Sequence, residues 1–258
     1  MNKWILTLAV LVMGAAAASA QDREISLDDF NQIEISKPDA RVETSLGVAF
    51  PMYFGLSTLT NVNYKGAWAG GYTGAWAGGQ DFLNFRTGKN FVYALDLASV
   101  HFKSGGFHAS LGLRWTFMDF TFNDPKISLY PMEVAGTAST KTIYYPSQIS
   151  IYNSSYDFNK SKIHASYLGV PLRVGFRFGK ATVYAGASAE LLTSGYTKYK
   201  RPKRRTMAKD IFSPFRATVE GGFCWGPLGV FAMYGLTPLF PSDLSDARTL
   251  TLGLILGM

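Results

Sequence analysis

Short turns alternate with long connections along this chain, and the segments between them are apolar at every second residue. Three turns are minimal: Ser104–Gly106, Gly179–Lys180 and Gly226–Pro227. Four connections are long and polar: residues 55–90, 121–161, 195–212 and 239–247. Short turns at one end of a set of strands and long loops at the other are typical of a transmembrane β-barrel.

The alternation with a period of two predicts eight β-strands. They are expected at about 41–54, 91–103, 107–117, 167–178, 182–190, 215–223, 228–238 and 249–256. Pro171 lies inside the fourth segment. Because proline lacks the N–H that a ladder needs, we expect a bulge or a missed hydrogen bond there.

The two faces of these strands decide the class of barrel. The polar face consists mostly of Gly, Ser, Thr and Tyr with a few Arg and Glu, which suits the crowded lumen of a small barrel. The opposite face, rich in Leu, Val and Phe, suits lipid. A soluble lipocalin-like barrel is the alternative, but it would show water a strongly polar face. The predicted fold is an all-β, eight-stranded antiparallel up-and-down transmembrane β-barrel, closed because every backbone group in hydrocarbon needs a partner.

Aromatic residues are expected to form girdles at both membrane interfaces. The predicted loop-side girdle is Tyr53, Phe54, Phe91, Phe120, Tyr196, Phe212 and Phe240. The predicted turn-side girdle is Phe107, Phe176, Phe178, Phe223 and Trp225.

The N-terminus has the features of a secretory signal peptide, with Lys3, the apolar run Trp4–Met13 and the small-residue site Ala18–Ala20. A membrane anchor is the alternative, but the apolar run is short for a spanning helix. We expect residues 1–20 to be the signal peptide, 21–40 a periplasmic segment and 41–258 an outer-membrane barrel. An even number of strands then places both termini and the tight turns in the periplasm and the long loops outside. The lone Cys224 excludes an intrachain disulfide.

The segment Tyr167–Phe178, with the sequence YLGVPLRVGFRF, resembles the outer-membrane β-barrel domain family often labelled porin family protein. This group includes PorT-like proteins and small OmpA- and OmpX-like barrels, and the glycine-rich strand Val183–Ala189 resembles it too. The resemblance covers mainly residues 160–258 and implies the barrel and the outer membrane, but no activity. Two features depart from the family: Gly169 stands where an acidic residue is common, and Leu254–Met258 lacks a terminal aromatic residue.

Seven charged residues are expected to point into the lumen. They are Asp96, Arg114, Arg173, Arg177, Glu190, Arg216 and Glu220. Buried charges must pair to offset desolvation, so we interpret this set as a structural network of ion pairs. A translocation path is the alternative interpretation.

Catalysis has little support in the sequence. The three histidines, His101, His108 and His164, lie in no nucleophile or metal motif. Serines share the inward face with His108 and His164, as period-2 patterning produces by chance. No glycine-rich loop between strand and helix indicates a nucleotide. We expect no enzyme activity, cofactor or metal, with a membrane hydrolase or acyltransferase as the alternative.

The long loops hold two candidate binding features. A glycine-rich tandem repeat carries Trp68 and Trp76, which would bind sugar or the membrane interface. The alternatives are a packed loop tip and a strand extension above the membrane with both tryptophans in equivalent positions. The net charge of +7 is concentrated in a basic run with five candidate binding residues: Lys200, Arg201, Lys203, Arg204 and Arg205. Lipopolysaccharide phosphates are the expected ligand, and a merely solvated loop is the alternative.

The sequence therefore predicts a non-enzymatic barrel with a structural or surface-interaction role through its external loops. The alternative is a narrow diffusion channel or an accessory component of protein secretion. The expected partners are outer-membrane lipid and lipopolysaccharide, with the barrel-assembly machinery and periplasmic chaperones during biogenesis. We expect a monomer that binds no nucleic acid.

Overall fold

A computed structural model describes residues 43–47, 51–69, 82–125, 127–135, 140–148, 159–201 and 203–257. These residues belong to one compact unit, Arg41–Met258. Their strands are β1 Glu43–Gly47, β2 Met52–Thr60, β3 Phe91–Ser104, β4 Phe107–Thr121, β5 Ile127–Ala135, β6 Thr140–Gln148, β7 Lys160–Phe178, β8 Ala181–Lys200, β9 Arg204–Met207, β10 Phe215–Trp225, β11 Leu228–Gly235 and β12 Arg248–Leu256. A short helix, α1, spans Gly66–Ala69, and a single 3-10 turn spans Lys209–Ile211.

Eight of these strands close into a barrel. The order around it is β2-β12-β11-β10-β8-β7-β4-β3 and back to β2, with every neighbouring pair antiparallel. Barrel strands that follow one another in the chain are neighbours in space. The predicted eight-stranded antiparallel up-and-down barrel is therefore confirmed.

The first predicted strand differs from the structure. Residues 41–54 were expected to form one strand, but β1 and β2 pair with successive parts of β3, and β2 continues to Thr60. Residues 55–60 are consequently strand, where a loop was expected. The inward positions of β2 are Tyr53, Gly55 and Ser57. Because none of them is strongly polar, the alternation between the two faces of this strand is weak in the sequence.

The two ends of the barrel differ as predicted. Tight turns join β3 to β4, β7 to β8 and β10 to β11, and we call this the turn end. At the opposite loop end, β8 runs on to Lys200 and pairs with β9, and β5 pairs with β6 in a separate hairpin. The prediction that 121–161 and 195–212 are loops is wrong to that extent. Strands that leave the membrane need no apolar outward face, so their hydrophobic alternation fades before the strand ends.

The outward face of the barrel is apolar. Leu172, Phe176 and Leu252 are each more than half exposed, at 54%, 54% and 60%. An apolar exterior on a closed sheet identifies a transmembrane barrel and excludes the soluble alternative. No described helix is long and apolar enough to cross a membrane.

The turn-side aromatic girdle is confirmed, because all five predicted residues are exposed on the outside. On the loop side, Phe54 and Phe91 are exposed as expected. The prediction is wrong for four residues that are buried inside: Tyr53, Phe120, Phe212 and Phe240. The remaining residue, Tyr196, is half-buried and stacks on His164. The inward parity of β2 and β4, together with loops that fold over the mouth, explains these differences.

The expected irregularity at Pro171 is present. The ladder between β4 and β7 runs from Phe107↔Phe176 to Leu111↔Leu172 and resumes at Arg114↔Gly169. The gap between these two stretches faces Pro171, which has no N–H to donate.

Candidate functional site

Four of the predicted lumen residues form a closed ring of ion pairs across the barrel. Arg114 Nε lies 2.7 Å from Asp96 Oδ1, and Arg114 Nη1 lies 2.6 Å from Glu220 Oε2. Arg173 Nη1 lies 2.7 Å from Asp96 Oδ2, and its Nε pairs with Glu220. All four side chains are buried. Each guanidinium thus bridges two carboxylates, and the four residues, which we call the charge ring, are neutral together.

Tyr53 packs against the charge ring. Its hydroxyl donates to Asp96 Oδ2 at 3.4 Å, and the Arg114 guanidinium lies 4.1 Å from the centre of its ring. A cation over an aromatic face is attracted by the quadrupole of the ring. Tyr53 was predicted in the loop-side girdle, and its contact with the charge ring follows only once its side chain is placed on the inward face of β2.

Glu190 and Arg216 form a separate buried pair on the loop side of the charge ring. Arg216 Nε lies 3.3 Å from Glu190 Oε2 as an ion pair without hydrogen-bond geometry, and Thr116 donates to Glu190 Oε1 at 3.3 Å. The guanidinium also contacts the sulfur of Met118 and lies 5.3 Å from the ring centre of Tyr167. This pair therefore lies between the charge ring and the buried aromatic residues at the loop end of the lumen.

Glycines on facing strands make room for these long side chains. A Cβ at Gly186 would lie 2.8 Å from Arg173 Cγ and 2.6 Å from a backbone oxygen. A Cβ at Gly169 would lie 3.1 Å from Glu190 Cβ. The absence of an acidic residue at position 169 therefore has a physical reason, since the Glu190 side chain fills that space.

Gly186→Ala is expected to destabilise the barrel by about 1–3 kcal/mol, because the new methyl group overpacks the site and displaces Arg173. The measurement is the free energy of unfolding from urea titration in lipid vesicles. Gly221→Ala, on the next strand, is the matched control, because its Cβ would meet nothing closer than 3.6 Å. Equal stability of the two variants would contradict the packing argument.

The loop end of the interior is filled by an aromatic cluster. Trp68 lies 5.1 Å from Phe240 and 5.2 Å from Phe82, and Phe212 stacks on Phe240 at 6.0 Å, between ring centres. These residues come from loops that fold back onto inward strand residues such as Phe120. The rings are buried and in mutual contact, so the cluster closes the mouth of the barrel.

Two predicted site residues lie elsewhere than expected. Trp68 is only 5% exposed and lies in helix α1, so it packs at a loop tip, and both a surface-binding role and a strand extension are wrong for it. Trp76 lies outside the described residues. Arg177 points inward by parity but is exposed at the turn end, and it joins neither the charge ring nor the Glu190 pair.

A second candidate site lies on the outer face of the loop end. Lys162 of β7 is opposite Lys198 of β8, which is opposite Arg205 of β9. In the next row outward, Lys160 is opposite Lys200. We call these five residues the basic ladder. Like charges directly opposite each other on a sheet are destabilising, so this arrangement calls for a counter-charge.

Burial along β8 shows which way the basic ladder faces. Thr197 and Tyr199 are buried at 3% and 8%, so Lys198 and Lys200 between and beyond them point away from the lumen. The prediction named Lys200 and Arg205, which belong to the ladder. The other three predicted residues do not belong to the ladder. They are exposed at the tip of the β8–β9 hairpin: Arg201, Lys203 and Arg204.

Lys160 and Lys162 of the basic ladder were not identified from the sequence. The available signal was the period of two, which continues through 160–166 with Ile163 and Ala165 on one face and Lys160, Lys162 and His164 on the other. Only cross-strand register brings these lysines beside the basic run of β8 and β9.

Among the described acidic residues, Asp119 contacts this outer face. Asp119 accepts from Lys162 Nζ at 2.6 Å and pairs with His164 Nδ1 at 2.7 Å. His164 stacks on Tyr196 at 4.4 Å, and the Arg205 guanidinium lies 3.8 Å from the centre of the same ring. These contacts hold the inner edge of the basic ladder in place.

Among the described residues, no group of three or more His, Cys, Asp or Glu side chains is placed to hold a metal ion. No protein-family model matches the chain, and no curated protein matches it. Among solved structures, the chain is similar to the neisserial surface protein A (NspA), with a TM-score of 0.37 and 9% identity over 83% of this chain and 99% of that one. The resemblance to the porin family stays a prediction.

Proposed function

We propose that this chain is a non-enzymatic outer-membrane barrel with a sealed interior, whose basic ladder binds the phosphates of lipopolysaccharide in the outer leaflet. In this orientation the loop end faces outward and both ends of the barrel domain face the periplasm. The observation that carries the proposal is the cross-strand register of Lys162, Lys198 and Arg205 on the lipid-facing side.

The order of outward residues along the strands supports this ligand. On β8 the sequence passes from Leu191, in the apolar belt, to Tyr196 and then to Lys198 and Lys200. Hydrocarbon, interface and phosphate follow one another in the same order in a membrane. A cation next to an aromatic residue at this level meets lipid phosphates directly.

The charge balance also supports an anionic ligand. Only Lys162 of the basic ladder has an ion pair with a described acidic residue, Asp119. Phosphate oxygens would neutralise the opposed cations, and Lys and Arg are suited to bind them by charge-assisted hydrogen bonds. Bridging by such a ladder would stabilise the leaflet around the barrel.

The rival role as a diffusion channel requires a continuous polar path through the barrel. The charge ring and the aromatic cluster fill the interior at two successive levels. An accessory role in secretion, and the expected contacts with the assembly machinery and chaperones, stay predictions.

Lys198→Gln/Lys200→Gln is expected to weaken lipid A binding by about 2 kcal/mol, or roughly 30-fold, because each cation near an anionic lipid surface contributes about 1 kcal/mol. The measurement is fluorescence anisotropy of labelled lipid A with the folded barrel in non-ionic detergent at low salt. The loss should shrink as salt is raised, because screening weakens exposed charge pairs.

The matched control is Lys65→Gln/Lys180→Gln, which removes the same charge from two exposed positions away from the ladder. Lipid A stripped of its phosphates should bind the wild type as weakly as intact lipid A binds the ladder variant. Equal affinity of the ladder variant and the control, or equal binding of both lipids by the wild type, would refute the proposal.

A further inference from the structure

A cavity opens at the turn end of the barrel, below the charge ring. It has a volume of about 250 Å³, and its floor includes Arg173 and Asp96. Its walls and mouth carry Lys103, His108 and Arg177. This size is below the range of drug-sized ligand pockets and suits a small group of a few heavy atoms.

The lining of this cavity, which we call the basic pit, is strongly biased in charge. Lys103 and Arg177 are cationic, and the imidazoles of His101 and His108 add two further groups that can donate. Among the described lining residues Asp96 is the one acidic group, and it is already bound to two arginines of the neutral charge ring. The described residues of the pit therefore carry more positive than negative charge, which its low-dielectric walls focus on the interior.

The cationic groups converge from different strands. Lys103 of β3 is opposite His108 of β4, and His108 is opposite Gly175 of β7, two residues before Arg177. A Cβ at Gly175 would lie 2.6 Å from His108 Nε2, so this glycine makes space for the imidazole to lie across the wall.

Neither Lys103 nor Arg177 has an ion pair with a described residue. His101 is held by Ser99, whose Oγ lies 2.7 Å from Nε2. The pit thus combines one fixed imidazole with two cations whose charges no described carboxylate neutralises. In a structural network such as the charge ring, each cation would have a carboxylate partner.

We propose that the basic pit binds a phosphate group. Donors that converge from three strands match a tetrahedral oxyanion with several acceptor oxygens, whereas a carboxylate offers only two. The hydroxyls of Ser110 and Thr182 lie on the same lining and supply further donors. The group belongs either to a free phosphate or phosphate monoester or to a phospholipid headgroup of the leaflet at the turn end.

The test is isothermal titration of inorganic phosphate and of glycerol phosphate into the folded barrel in zwitterionic detergent. Binding should be weakened by about tenfold or more in Lys103→Gln/Arg177→Gln, because two charge-assisted contacts are removed. The control Lys89→Gln/Lys209→Gln, at two exposed lysines of the loop end, should bind as the wild type does. Acetate at the same concentration should not compete.

A second arm identifies the source of the phosphate. Native mass spectrometry of the barrel from nanodiscs containing phosphatidylglycerol should retain the lipid in the wild type and lose it in Lys103→Gln/Arg177→Gln if the headgroup is the ligand. Saturable binding in the first arm without retained lipid assigns a soluble phosphate. Absence of both, or equal binding by the pit variant and the control, would overturn the proposal. Because lipid A binding depends on the opposite end, failure here leaves the basic ladder untouched.

Discussion

Glu220→Ala is expected to lower the free energy of unfolding by about 3–5 kcal/mol, because it leaves two buried guanidiniums short of a carboxylate. Arg114 and Arg173 each contact Glu220, and all three side chains are at most 5% exposed. The measurement is urea-induced unfolding in lipid vesicles followed by tryptophan fluorescence. Asp210→Ala, at an exposed acidic residue of the 3-10 turn, should change stability by no more than about 0.5 kcal/mol.

A double variant tests whether the four residues act as a ring. Arg173→Met/Glu220→Met removes one charge of each sign and leaves the Asp96–Arg114 pair, at 2.7 Å, neutral and intact. The free energy of unfolding should therefore fall by less in the double variant than the summed losses of Arg173→Met and Glu220→Met alone. Additive costs, or a Glu220→Ala barrel as stable as the wild type, would show that the ring contributes no coupled stabilisation.

The barrel and its inward charges could be predicted from the sequence because a strand repeats every two residues. Inward parity placed Asp96, Arg114 and Glu220 in the lumen without any knowledge of their partners. The alternation does not give the level of a residue along the barrel axis, however. Arg177 is on the inward face of its strand but lies at the open turn end. The level of each residue depends on the stagger between strands, which irregularities such as the one between Asp96 and Ala98 alter.

The loops were less predictable because their packing is set by distant partners. The glycine-rich setting of Trp68 was compatible with an exposed or a packed ring, and Phe240 and Phe82 decide for packing. The basic ladder shows the same limit. Lys162 and Lys198 are 36 residues apart in the chain, and only the β7–β8 register places them opposite each other.

Phe240→Ala is expected to destabilise the barrel by about 3–5 kcal/mol and yet leave it closed to ions. The Phe240 ring is fully buried against Trp68 and Phe212, so its removal costs the transfer free energy of the side chain and opens a cavity. Phe215→Ala, at an outward residue that is 48% exposed, is the control and should cost less. Urea titration under the conditions used for Glu220→Ala gives both values.

Phe240→Ala is expected to stay closed to ions because the charge ring blocks the lumen at a second level. The charge ring spans the lumen below the aromatic cluster, so a defect in one level leaves the other intact. In planar bilayers the wild type, Phe240→Ala and Glu220→Ala should each show no stable channel openings. Openings in the wild type would restore the diffusion-channel alternative. Openings in only one of the two variants would show that the level altered in that variant is the sole seal, because the other level would then have failed to block ions by itself.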